Sequence, residues 1–193
     1  MKTIILTITC VLTAMYSIAQ TPEHLTFKGV QIDGKLEEYV SKMKQNGFTH
    51  LGTEKGNAIL NGDFAGYKNC NIGVSTLSQN DLVYKISVLL PEQDKWAGLY
   101  SNYIELKQML IEKYGNPKDV VEKFDGNYEP KDDNSKMYQV MFDRYKYYSI
   151  WKTEKGEIQL SIDHKGMSNC KVKLLYIDKI NGDKIKAKAK DDL

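Results

Sequence analysis

Leu36, Tyr39, Val40 and Met43 recur at helical spacing, and from Phe48 onward the apolar period drops to two. This predicts a helix opened by Asp33-Gly34 and ended by Asn46-Gly47, glycine being the residue that accepts left-handed C-cap geometry. A short strand over 24–30 precedes it. Strands follow at about 48–54, 57–64, 68–77 and 82–90, with Lys55-Gly56, Gly66 and Gln79-Asn80-Asp81 as turns. The first half thus reads as one helix laid on an antiparallel meander.

The second half opens with Pro91 to Gly98 and a helix predicted over 102–114. Asn102 and Glu105 read as its capping pair, Tyr103, Leu106 and Leu110 as its buried stripe, and Gly115 with Pro117 as its end. Asn116-Pro117 then reads as the cap of a short second helix carrying Val120, Val121 and Phe124. A polar loop over 125–136 leads to Met137, Met141 and Tyr145, again at helical spacing. Strands are expected at about 147–153, 156–163 and 169–179, and Asn181-Gly182 signals a hairpin into a last strand.

The two halves share letters. TEKGNAILNGDFAGYKNC (53–70) and TEKGEIQLSIDHKGMSNC (153–170) agree at nine of eighteen positions without a gap, Cys70 matching Cys170. An internal repeat of this kind predicts an α+β fold of two tandem units, 20–90 and 91–193, each with helix packed on an antiparallel meander, as two sheets or one continuous curved sheet. TEKG becomes the hairpin turn of each unit. With two-residue loops, Leu51 pairs with Leu60 and Trp151 with Leu160, both pairs facing the core together with Tyr147, Ser149, Ile158 and Ile162. His50, Ile59, Asn61, Tyr148, Ile150, Lys152, Gln159, Ser161 and Asp163 then share the opposite face, the candidate binding surface.

The ends alter this picture. Lys2, the apolar run IILTITCVLTAMY and Ser17-Ile18-Ala19 have the layout of an export signal over 1–19, cleaved near Ala19. The run is too short for a membrane span, which needs roughly twenty residues. The mature chain is therefore expected in the periplasm or outside the cell, with no membrane span. The chain has 27 basic and 25 acidic residues; loss of Lys2 leaves 26 against 25, a near-neutral balance that argues against nucleic acid as the partner. Lys184, Lys186, Lys188 and Lys190 alternate near the end and read as the solvated face of a last strand or a tail guarding a sheet edge. In an exported chain Cys70 and Cys170 are a candidate disulfide, the alternative being two separate buried thiols that pack as small apolar groups.

Candidate chemistry is sparse. His24, His50 and His164 stand far apart, without the spacing of a zinc site, and His164 reads as a solvated histidine beside a turn. No nucleophile motif or phosphate-binding glycine loop is present. The segment from Asp125 has calcium-loop letters at Asn127 and Glu129 but carries Pro130 and Lys136 where that loop needs glycine and glutamate. No metal, cofactor or catalytic residue is expected. Thirteen tyrosines and two tryptophans fit strand packing and also suit a contact surface.

The runs HLTFKGVQIDGKLEEYVSKMKQNGF, YIELKQMLIEKYGNP, WKTEKGEIQLSI and VKLLYIDKIN resemble exported proteins of Bacteroidetes gut bacteria. The doubled helix-and-meander pattern resembles the beta-lactamase inhibitor protein and, by half, small outer-membrane assembly lipoproteins. That resemblance implies helices on one side of a curved sheet and a partner on the other; it carries no functional residue. The expected function is a non-enzymatic, exported binding module for a protein or envelope component. The alternatives are an envelope-assembly factor and a hydrolase built from His50, Asp163 and a serine.

Overall fold

The structure, a computed structural model, describes residues 23–77, 81–126, 129–166 and 168–191. The expected export signal and Cys10, as well as Gln79, Asn80 and Asn127, lie outside these residues. Where one strand was expected over 24–30, the chain forms a hairpin of β1 (Thr26–Phe27) and β2 (Val30–Gln31), turning on Lys28 and Gly29 at positive φ. Helix α1 (Leu36–Gln45) follows, burying the four apolar residues that its spacing singled out. Glu37 and Glu38 in its first turn and Lys42 and Lys44 in its last complement its dipole.

Strands β3 (Thr49–Glu54), β4 (Asn57–Phe64), β5 (Tyr67–Leu77) and β6 (Leu82–Leu89) make the first meander. Helix α2 (Trp96–Tyr114), strand β7 (Asp119–Phe124) and helix α3 (Asp133–Met141) lead to β8 (Tyr145–Lys152), β9 (Gly156–Lys165), β10 (Ser168–Asp178) and helix α4 (Lys179–Asp191). The fold is α+β. Eight strands form one antiparallel sheet in the order β3-β4-β5-β6-β10-β9-β8-β7. Helix α1 contacts the first meander, and α2 and α3 contact β9 and β10. A row of paired residues, Leu60, Ile72, Val88, Leu174, Leu160 and Ser149, crosses the core from β4 to β8, every member fully buried. Helical residues Tyr39, Met43, Leu99, Tyr103 and Leu106 join the same buried layer, so one side of the sheet carries the core.

Four sequence expectations are corrected. Helix α2 starts at Trp96, ahead of the supposed Asn102 cap, because Trp96 and Leu99 continue the stripe of Tyr103, Leu106 and Leu110. Its first turn is served from α3 instead, Ala97 N donating to Asp133 (3.2 Å). The Val120-Val121 segment is a strand, not a helix: pairing with β8 gives its adjacent β-branched residues the half-buried pleat they favour. Asn181-Gly182 makes no hairpin, and the lysine-rich end is helix α4. Asp178 caps that helix by accepting the Asn181 amide (2.8 Å), and the alternating Lys and Ala that follow are good helix formers.

The fourth correction concerns the shared letters. The strand directions alternate across the sheet, so matching β3, β4 and β5 with β8, β9 and β10 would preserve direction and buried face while reversing lateral order. No proper rotation does that. The twofold compatible with this sheet passes between β6 and β10, at the pair Ser87 and Leu175, and exchanges β3–β6 with β7–β10. The nine common letters therefore do not mark equivalent positions of a folded repeat. The TEKG turns also differ: Lys55 and Gly56 (φ 48 and 73) make a two-residue loop between the paired Glu54 and Asn57. In the second turn the loop spans 153–156, closed by Thr153 N donating to Gly156 O (2.8 Å).

The candidate disulfide fails for the same topological reason. Cys70 and Cys170 are free and buried. Strand β6 stands between β5 and β10, and the register offsets the two cysteines by two further residues. Two strand spacings and two residues of rise put their Cα atoms roughly 12 Å apart, well beyond disulfide reach.

Candidate functional site

The core occupies one side of the sheet, and the outward residues form rows across the other. One row runs Ile59, Gly73, Ser87, Leu175, Gln159 and Ile150; its neighbour runs Asn61, Asn71, Leu89, Lys173, Ser161 and Tyr148. Eight of the nine predicted surface residues share this face, Lys152 and Asp163 included. They fall in two groups: Ile59 and Asn61 on β4, the rest on β8 and β9, with β5, β6 and β10 between. Five strand spacings separate Ile59 from Ile150, about 24 Å.

The ninth residue, His50, lies on the helix side. A β-bulge places Leu51 and Gly52 together opposite Ile59, so that His50 pairs with Leu60. This one-residue slip turns His50 inward and puts Leu51, expected in the core, on the surface with 59% of its area exposed. In the second half Trp151 pairs with Ile158 rather than Leu160, a shift of two that leaves every side chain on its expected face. His50 and Asp163 consequently lie on opposite faces of strands at opposite flanks, and the materials of the suggested hydrolase site do not assemble.

The middle of the face was missed. Leu89, Leu175 and Ile177 contribute its central apolar surface, while Gly73 and Ser87 make it low between β4 and β10. A Cβ on Gly73 would meet Ser87 Oγ at 2.4 Å, so the serine occupies the space that the glycine leaves. Uncharged polar groups are cross-linked, as in Asn61 Nδ2 donating to Asn71 Oδ1 (3.2 Å). The charges are paired and reach the middle of the face, since Lys173 is the central residue of β10. Lys173 bonds Asp163 (2.8 Å), Lys171 bonds Glu92 (3.0 Å), and Gln159 bonds Glu157. Beside Lys152 and Glu157 the face runs into a cleft of about 450 Å³ under α4, where Lys186 and Asp183 form the far wall.

Next to Asp163, His164 is held rather than solvated. Its Nδ1 donates to the Gly166 carbonyl (2.7 Å) and its Nε2 to Asp143 (2.9 Å), an arrangement only the protonated ring satisfies on both sides. Partial burial works against that charge, but the Asp143 and Gly166 hydrogen bonds outweigh it and raise the pKa above its ordinary value. His24 is also bonded, Nδ1 to the buried carboxylate of Asp178 (3.1 Å), and ties the N-terminal hairpin to the start of α4. On the core side, Tyr103, Ser149, Glu122 and Lys107 form a hydrogen-bonded network beneath α2. Burial, the largest cause, pushes the Tyr103 hydroxyl far up, and Ser149 is fully buried, so neither is presented to a substrate. Among the described residues no group of three or more His, Cys, Asp or Glu side chains could hold a metal ion, and no helix is long and apolar enough to cross a membrane.

Comparison with known proteins gives this arrangement no precedent: no family model matches the chain, and no curated protein or solved structure matches it.

Proposed function

We propose that the protein is an exported, non-enzymatic binding module that meets a protein or envelope component through the helix-free face of its sheet. The observation supporting this reading is the make-up of that face. Ile59, Leu89, Leu175, Ile150 and Tyr148 are spread among uncharged Asn, Ser and Gln side chains on a hydrogen-bonded sheet, and Lys173 in their midst is paired with Asp163. Apolar side chains interspersed with hydrogen-bonding polar groups suit a protein contact surface, and Tyr148 and Ile150 freeze few rotors when covered.

The test is photo-crosslinking from positions on this face and, separately, from the exposed face of α2, in intact cells of the source organism. Crosslinks to one partner from the sheet face, lost in Tyr148→Asp/Ile150→Asp with an unchanged melting curve, support the reading. A partner that crosslinks only from α2, or one retained by the double variant, refutes it.

A further inference from the structure

We infer that the edge of β3 is a second docking site, adjoining the sheet face at Ile59, which takes an extended peptide of another protein as a ninth strand antiparallel to β3. Among the described residues strand β3 ends the sheet, and all six of its residues are exposed. An edge strand presents a row of N–H and C=O groups without partners, and proteins ordinarily blunt such an edge with lysine, proline, an inward charge or a β-bulge, of which β3 has only the last. Thr49-His50-Leu51-Gly52-Thr53-Glu54 contains neither lysine nor proline. The opposite edge, β7, carries Asp119, Glu122 and Lys123, with Glu122 bonded to Tyr103 and Lys107 across the end of the core.

Both sides of an added strand find a seat. On the helix side, a groove of about 480 Å³ runs between β3 and α1, lined on the helix by Leu36 and Val40 together with Glu37, Ser41 and Lys44, and on the strand wall by His50 and Thr53. The bulge creates this wall: the extra residue at Leu51 puts residues 50 and 53 on the same face, where His50 Nε2 and Thr53 Oγ1 are 2.9 Å apart. On the other side Leu51 and Ile59, 59% and 52% exposed, lie together at the edge. Gly52 has open space where a Cβ would stand, so the outer side of the edge is unobstructed there. The occupant is therefore an extended segment with an apolar side chain on each face, recognised through its backbone.

A second copy of this chain is the competing occupant, and size decides against it. A stable protein interface uses about 20–30 residues a side. Here the edge supplies the six residues of β3, with the few groove residues beside them. That suits a peptide better than a globular partner.

The experiment pans a displayed library of random peptides of roughly ten residues against the folded protein, then maps amide exchange with a selected peptide bound. Expected are peptides with apolar residues at alternate positions whose binding protects amides of residues 49–54. Leu51→Lys/Thr53→Lys, two exposed edge positions, should weaken binding at least about tenfold with the melting curve unchanged. Tyr148→Asp/Ile150→Asp should leave it intact, which separates this site from the sheet-face proposal. Failure to select any peptide, or protection confined to other residues, overturns the inference. So does concentration-dependent dimerisation in sedimentation that the lysine variant abolishes, since the edge would then belong to a second copy.

Discussion

Replacing Asn181 with alanine should cost this protein about 3 kcal/mol, because one buried amide ties α4 to two other segments at once. The two hydrogens of its Nδ2 are shared among the Ile32 carbonyl (3.2 Å), the Val83 carbonyl (2.9 Å) and Asp33 Oδ1 (2.9 Å), while its Oδ1 accepts from Lys184 (3.1 Å). The residue is fully buried, so the two carbonyls lose a partner that water cannot readily replace. An unsatisfied buried acceptor costs roughly 1–3 kcal/mol; two such groups, with one partly rescued by a trapped water, give about 3 kcal/mol. Asp33 is partly solvated and adds little. For a chain of this size the loss corresponds to a fall in Tm of about 6–12 °C. Thermal and urea unfolding of Asn181→Ala measure it, with Asn181→Asp as a companion. The acid keeps the shape but turns a donor into an acceptor facing two carbonyls, and should be the worse of the two. If the alanine variant loses less than about 1 kcal/mol, or the acid is as stable as wild type, the amide is not the tie described here.

Two further outcomes follow from the packing. In the folded protein Cys70 and Cys170 should titrate as thiols, slowly, because burial raises both pKa values; the mass of peptides carrying them should not change with reductant, and a pair bridged to each other would overturn the topology. The His164 clasp should contribute stability that is fully present below the unfolded pKa near 6.5 and lost as pH rises through the raised folded value. An NMR titration of the imidazole should show a midpoint above 6.5, and His164→Gln should remove that part of the stability decline between acidic and mildly alkaline pH. Asp143→Asn should lower the midpoint, and a midpoint unmoved by it would exclude the ion pair as the cause.

Much of the fold was legible because period is a local property. The α1 stripe, the strands of the first meander and the inner and outer faces of β8 and β9 all follow from spacing alone. Three failures share a cause, namely dependence on what arrives from elsewhere in the chain. Asn181-Gly182 has the letters of a tight turn, yet Asp178, Ile32 and Val83 hold it at the head of a helix. Val120 and Val121 become a strand only because β8 pairs with them. The bulge at Leu51 is announced only by Gly52, a lone glycine inside a strand pattern, and one extra position exchanged His50 and Leu51 between faces. The central surface of Leu89, Leu175 and Ile177 went unseen because its strands meet only through the non-consecutive pairing of β6 with β10. Repeated letters misled for a related reason: similar hairpins arise wherever strands must reverse, and identity of wording does not establish identity of place in a sheet.

The seam between β6 and β10 also sets an order of events. A chain made from its N-terminus exposes β6 early, with only β5 to bond on one side, and the strand that covers its other side is the last to emerge. Until then the molecule is two half-sheets with open flanks, and the long loop that joins them must close before non-local pairing repays its entropy. Truncation anywhere before residue 173 would thus leave both halves without their common boundary, so completion of the protein depends on its final tenth.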